Sequence, residues 1–183
     1  MTGRVLVSVL SVFALPCASR AMPTPNAVKP AVIVLPMAAG EWMREGAAIG
    51  GQAATDELSL LKVERSVRTA NEGGGERIAI SYGDKSGRPL RSTPGYFHIT
   101  LDRDGRRLAV DLAQVARTAV DRADLEALFA KSSLIESTDI VMDPLDGSTH
   151  VSFALRSSVE AFAKAELQKG DALLAIEVRP VRK

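Results

Sequence analysis

The stretch Gly95 to Leu112, GYFHITLDRDGRRLAVDL, constrains the chain more than any other. Phe97, Ile99 and Leu101 alternate with Tyr96, His98 and Thr100; beyond Asp104-Gly105, Leu108, Val110 and Leu112 alternate with Arg107, Ala109 and Asp111. Period-two alternation on both sides of an Asp-Gly predicts a β-hairpin with one apolar face. A lone hairpin is marginal in water, so the rest of the chain must cover that face.

The remaining pattern supplies the cover as further strands. Leu61, Val63 and Val67 alternate with polar residues, a turn is expected at Asn71 to Gly75, and Ile78, Ile80 and Tyr82 form the next apolar phase. After the hairpin, Asp121 and Asp124 precede Leu125, Leu128 and Phe129, which predicts one short helix near residues 122–131. Strands resume at Ser137 to Asp143, at Val151, Phe153 and Leu155, at Ala161 to Leu167 and at Leu173 to Val178. Seven or eight short strands with turns between them predict a mainly β fold, a β-sandwich or open barrel wet on one side of each sheet. With only 4% aromatic residues, the core is expected to be Val, Ile, Leu and Ala.

The first 21 residues read as an export signal: Arg4, an apolar run from Val5 to Leu15, then Ser19-Arg20-Ala21 as a cleavage site. The run is too short to span a bilayer, which takes about 20 apolar residues. Cleavage after Ala21 removes Arg4, Arg20 and Cys17, so the mature chain has no cysteine and therefore no disulfide or thiol chemistry. Acylation of Cys17 is the weaker alternative, because Pro16 stands where a lipobox needs a small residue. The expected organisation is a signal at 1–21, a Pro/Gly/Ala-rich connection at 22–57 and the strand domain at 58–183. Within the connection, Ala31 to Leu35 could add an edge strand and Trp42 could dock on the domain. The export signal predicts a periplasmic or secreted protein without a transmembrane span once matured.

No HExxH, GxSxG, Walker-type loop or GxGxxG opening a helix is present, and Gly73 to Gly75 leads into a strand rather than a phosphate-binding helix. With two histidines in all, a metal site would rely on carboxylates, and a Ser-His-Asp set built from His98 and Asp111 is selected by no spacing. No enzyme activity, cofactor or metal is expected. A net charge of +1 gives no argument for nucleic acid. The informative surface is the polar phase of the strands: Arg77, Tyr96, His98, Arg107, Asp111, His150 and Arg156, with Ser81 and Ser152 among them. On neighbouring strands about 4.8 Å apart these would form rows suited to polar glycans or carboxylated peptides. On unrelated surfaces they would be ordinary solvated residues.

ERIAISYG (Glu76 to Gly83), the aromatic strand GYFHITLD and RRLAVDLAQV (Arg106 to Val115) resemble the AMIN domain, with its arginine-led apolar strand and its "R-L-V-V-D-L" strand. STDIVMD, THVSFALRSSVEAFAKAEL and ALLAIEVRP are similar to that family's continuation, although His150 stands where the family has an arginine. The resemblance implies an AMIN-like β-sandwich: a periplasmic module that targets cell-wall amidases and type IV pilus secretins to peptidoglycan. It matches Arg77, Arg107 and Asp111 to the family's motif positions. The function it implies is non-catalytic binding of peptidoglycan or another envelope glycan, or localisation to an envelope protein complex. The alternative expectation is an accessory subunit or periplasmic chaperone of a pilus or secretion assembly that binds a client through a sheet edge, with Val28 to Leu35 donated or accepted.

Overall fold

In the computed structural model, which describes residues 37–38, 40–69 and 74–181, the alternating segments pair into two six-stranded sheets. In sheet A the order is β1 (Met37–Ala38), β3 (Gly46–Gly50), β6 (Phe97–Leu101), β7 (Arg107–Leu112), β10 (Ser148–Leu155) and β9 (Ile135–Asp143). In sheet B it is β2 (Trp42–Met43), β11 (Val159–Gln168), β12 (Asp171–Pro180), β5 (Glu76–Gly83), β4 (Leu58–Val67) and β8 (Val115–Thr118). The β1–β3 and β4–β8 pairs are parallel; the rest are antiparallel. The fold is thus mainly β and sandwich-like, with a single short helix among the described residues, α1 (Arg122–Phe129).

The predicted hairpin is β6 and β7, paired in the register Phe97↔Leu112 to Leu101↔Leu108. Its turn is held by Asp102, whose carboxylate accepts from the N–H groups of Arg106 and Arg107, while Gly105 takes φ +62°, which a glycine adopts freely. Phe97, Ile99, Leu101, Leu108, Val110 and Leu112 are all buried, and they share one core with Ile78 and Ile80 of β5 and Leu174 and Ile176 of β12. Each such side chain contributes about 1.5–3 kcal/mol by leaving water. On sheet A the other phase faces outward; on sheet B, against the expectation of a wet side on each sheet, Ala79 of β5 and Leu173 and Ala175 of β12 on that phase are buried in a small second cluster.

Helix α1 begins where expected. Asp121 accepts from the Asp124 N–H at 2.8 Å and the Asp124 carboxylate accepts from the Asp121 N–H at 3.1 Å, a reciprocal cap. Leu125 and Phe129 are buried, and Phe129 meets Phe153 edge-on at 5.4 Å.

Two expectations are corrected. The Gly/Ala-rich stretch 40–56, read as a connection, supplies β2 and β3 and so belongs to the fold. Small residues suit it there: Gly51, at φ +78°, passes so close to Gly95 that an added Cβ would lie 2.1 Å from the Gly95 carbonyl oxygen. Trp42 docks, its ring 5.5 Å from Phe162 and 3.7 Å beneath the Arg179 guanidinium. In β4, a bulge between Leu60 and Lys62 shifts the phase, so Leu58, Leu60 and Val63 are buried and Leu61 is only half-buried, while Val67, in phase with Val63, is exposed at the end of the strand. Residues 1–36, which hold the expected signal and the Ala31–Leu35 segment, lie outside the described residues.

Candidate functional site

The register of sheet A brings the chain's two histidines to one carboxylate. His98 pairs with Asp111 across β6–β7, and Asp111 pairs with His150 across β7–β10. All three side chains take the outward phase, opposite to the buried Ile99, Val110 and Val151. Asp111 Oδ2 lies 3.3 Å from His98 Nδ1, and Asp111 Oδ1 lies 2.6 Å from His150 Nδ1. An ionised carboxylate only accepts, so each imidazole donates from Nδ1. Both rings are thereby fixed in orientation, each being about two-fifths exposed.

The row continues into the β9–β10 turn. His150 Nε2 is 3.0 Å from Ser148 Oγ, which lies 2.5 Å from Asp146 Oδ1. The hydroxyl and N–H of Ser148 hold the Asp146 carboxyl below its usual range. Ser148, His150 and Asp111 therefore have the spacing of a serine–histidine–aspartate relay, a serine that sequence spacing did not select. The serine is nevertheless buried, and its one hydrogen is directed to Asp146 at the shorter distance, so the imidazole does not hold it as an activated nucleophile. Donor atoms of Asp143, Asp146 and His150 lie within 4.8 Å of one another. The two carboxylates already accept from the turn amides of Leu145 and Ser148, which accounts for their convergence.

Next to the row the outward face is hollow. Ala109 pairs with Ser152, which pairs with Asp139, and Arg107 pairs with Ala154, which pairs with Ser137. These small side chains floor two adjoining depressions of about 350 and 270 Å³ that share Arg107, Asp139 and Ser152. Arg122, from the first turn of α1, stands at one rim and His150 and Asp111 at the other. Arg122 is 3.6 Å from Asp139 and 2.9 Å from Glu126. Neither Arg122 nor Asp139 was singled out in the sequence, because α1 and the edge strand β9 come together only through tertiary packing.

The other expected site residues divide. Tyr96 precedes β6 on the phase of His98 and is exposed at the end of the same face. Arg156 lies just past β10, donating to the Ser132 carbonyl at 3.4 Å, and lines a separate depression with Phe129 and Glu136. It adjoins the face through Ser137 and Thr138, which line both hollows.

Arg77 does not join them. It sits on β5, in the centre of sheet B and so on the opposite side of the sandwich. There it bonds Glu166 and lies 3.7 Å from Glu177, which also pairs with Arg68, while Lys164 is 3.0 Å from Glu166. The expectation of one shared face thus holds for His98, Arg107, Asp111 and His150 and fails for Arg77 and its neighbour Ser81. The loop Asp84 to Tyr96 carries the chain from one sheet to the other, so consecutive strands are not neighbours.

No family model, curated protein or solved structure matches this chain. Among the described residues no helix is long and apolar enough to cross a membrane.

Proposed function

We propose that the protein is an exported, non-catalytic module that binds peptidoglycan, or a related envelope glycan, through the outward face of sheet A. One observation carries this reading: three adjacent strands present His98, Asp111 and His150 in a bonded row beside a small-residue hollow rimmed by Arg107. Fixed imidazoles and a carboxylate give directed partners for sugar hydroxyls and amides, and the Ala/Ser floor admits a chain lying across the strands. The resemblance of the β5–β7 and β9–β12 segments to AMIN domains supports the same polymer and a periplasmic location. Co-sedimentation with purified sacculi tests it: retention above that of an unrelated β-sandwich is expected, and its absence removes the reading.

A second reading has its own observation. β9 is a nine-residue edge strand, and Val141 and Met142 on it and Leu145 beyond it are exposed by 54%, 44% and 95%. An unpaired apolar edge suits strand addition by a protein client of an envelope assembly. In-cell crosslinking from position 141 that recovers one protein, independently of glycan, favours it over the first.

A further inference from the structure

The described chain contains thirteen arginines, and nine have a carboxylate oxygen within 4.0 Å: Arg44, Arg65, Arg68, Arg77, Arg88, Arg91, Arg117, Arg122 and Arg179. The four with no ion pair among the described residues are Arg103, Arg106, Arg107 and Arg156, and they gather at one end of sheet A. Arg103 and Arg106 belong to the β6–β7 turn and Arg107 opens β7. Arg156 is brought against them because the Leu155 N–H donates to the Arg106 carbonyl at 2.8 Å and Arg106 Nη2 donates to the Arg156 carbonyl at 3.2 Å. The two carboxylates in this turn are those of Asp102 and Asp104. Asp102 accepts from the backbone of Arg106 and Arg107 rather than from a guanidinium.

Where the other described arginines have carboxylate partners, a group of four that bonds at most to backbone carbonyls, beside the proposed groove, is the feature that a partner of opposite charge would complete. We infer that this arginine cluster, Arg103, Arg106, Arg107 and Arg156, is an oxyanion subsite that takes the carboxylate or phosphate groups of the polymer lying on sheet A. Guanidinium forks bind either group bidentately, and four spread over one end of the sheet would hold successive groups along a chain rather than a single ion. Arg107 belongs to both places: it lines the Ser152 hollow and follows the turn that carries Arg103 and Arg106, while the depression lined by Arg156 adjoins the hollow through Ser137 and Thr138. The polymer rests on the reading above; the charge chemistry does not.

Two experiments separate these. The first titrates the full mature chain with citrate and with pyrophosphate, following arginine Nε–Hε resonances. Those of Arg103, Arg106, Arg107 and Arg156 are expected to shift together and saturate, with Arg65 and Arg77 unmoved. Uniform shifts in all arginines, or none, overturn the subsite whatever the polymer. The second measures retention on sacculi of the wild type and of the Arg106→Gln/Arg156→Gln variant, whose fold is checked by circular dichroism. A loss of about tenfold in the variant is expected, since bonds to charged groups are among the stronger ones. That difference should vanish on sacculi whose stem carboxyls have been amidated, or on sacculi stripped of phosphodiester-linked polymer; whichever treatment abolishes it names the oxyanion. Equal retention of variant and wild type on untreated sacculi overturns the subsite while leaving the glycan reading standing. Wild type unretained, with citrate or pyrophosphate still shifting the cluster, removes the polymer and keeps the subsite.

Discussion

Asp111 Oδ1 lies 2.6 Å from His150 Nδ1 while the other oxygen of the same carboxylate lies 3.3 Å from His98. A residue on the middle strand of three thus sets the rotation of the imidazoles on both neighbours, which turns an outward sheet face into a fixed array of donors and acceptors. Asp111→Asn keeps the shape and loses the doubly accepting group. Because these side chains are part exposed, the change in stability should be no more than about 1 kcal/mol. The histidine 15N spectrum should instead show both rings redistributing between tautomers; unchanged His150 resonances would count against the contact.

A different carboxylate carries stability. Glu76, at the start of β5, is 1% exposed and meets Arg65 Nε at 2.6 Å, with further bonds from the Ser132 hydroxyl and the Ser133 N–H that clip the segment after α1 to sheet B. Removing the buried carboxylate while the half-buried Arg65 and the Ser132 and Ser133 donors lose their acceptor should cost about 3 kcal/mol, so Glu76→Ala should unfold at markedly lower urea. A midpoint near that of wild type would show the pair to be dispensable.

The same group sets an acid limit. Burial pushes the Glu76 carboxyl up, but Arg65, Ser132 and Ser133 together outweigh it and hold it below its usual range. A carboxyl depressed in the folded state contributes stability that is complete above its unfolded value, about 4.3, and is lost as pH falls through the lower folded value. Urea midpoints should therefore be flat from pH 7 to 5 and drop below about 4. Glu76→Gln should shallow that drop; an identical acid limb in the variant contradicts the assignment.

Gly51→Ala tests whether the 40–56 segment is structural. A Cβ there would meet the Gly95 carbonyl oxygen at 2.1 Å, and the backbone is at φ +78°. A loss of more than about 1 kcal/mol is expected, with faster proteolysis between residues 40 and 56. Wild-type stability would mean that β3 is not held against β6.

Much of this architecture was legible in local pattern, and what was not has physical causes. Asp104-Gly105 between two alternating runs marks the β6–β7 hairpin, and Asp121 with Asp124 marks the start of α1, because turn and cap chemistry are local. The strand at Gly46–Gly50 was missed because its residues have poor strand propensity; β6 beside it, not its own side chains, makes it a strand. The bulge after Leu60 cannot be seen in a period-two count, and it takes Leu61 out of the buried phase of Leu60 and Val63. For the site, alternation put His98, Asp111 and His150 on polar phases correctly. It could not tell that Arg77 shares a phase with them but not a sheet, since sheet membership depends on where the Asp84–Tyr96 loop delivers the chain.

That division of faces gives the most direct measurement, sacculus co-sedimentation of the wild type beside one variant from each face. The account predicts that wild type is retained, that His98→Ala/His150→Ala lowers retention about tenfold with the fold intact, and that Arg77→Ala on sheet B leaves it unchanged in whatever fraction stays folded. Retention no greater than that of an unrelated β-sandwich of equal charge, or a loss caused by Arg77→Ala and not by the histidine pair, would contradict it.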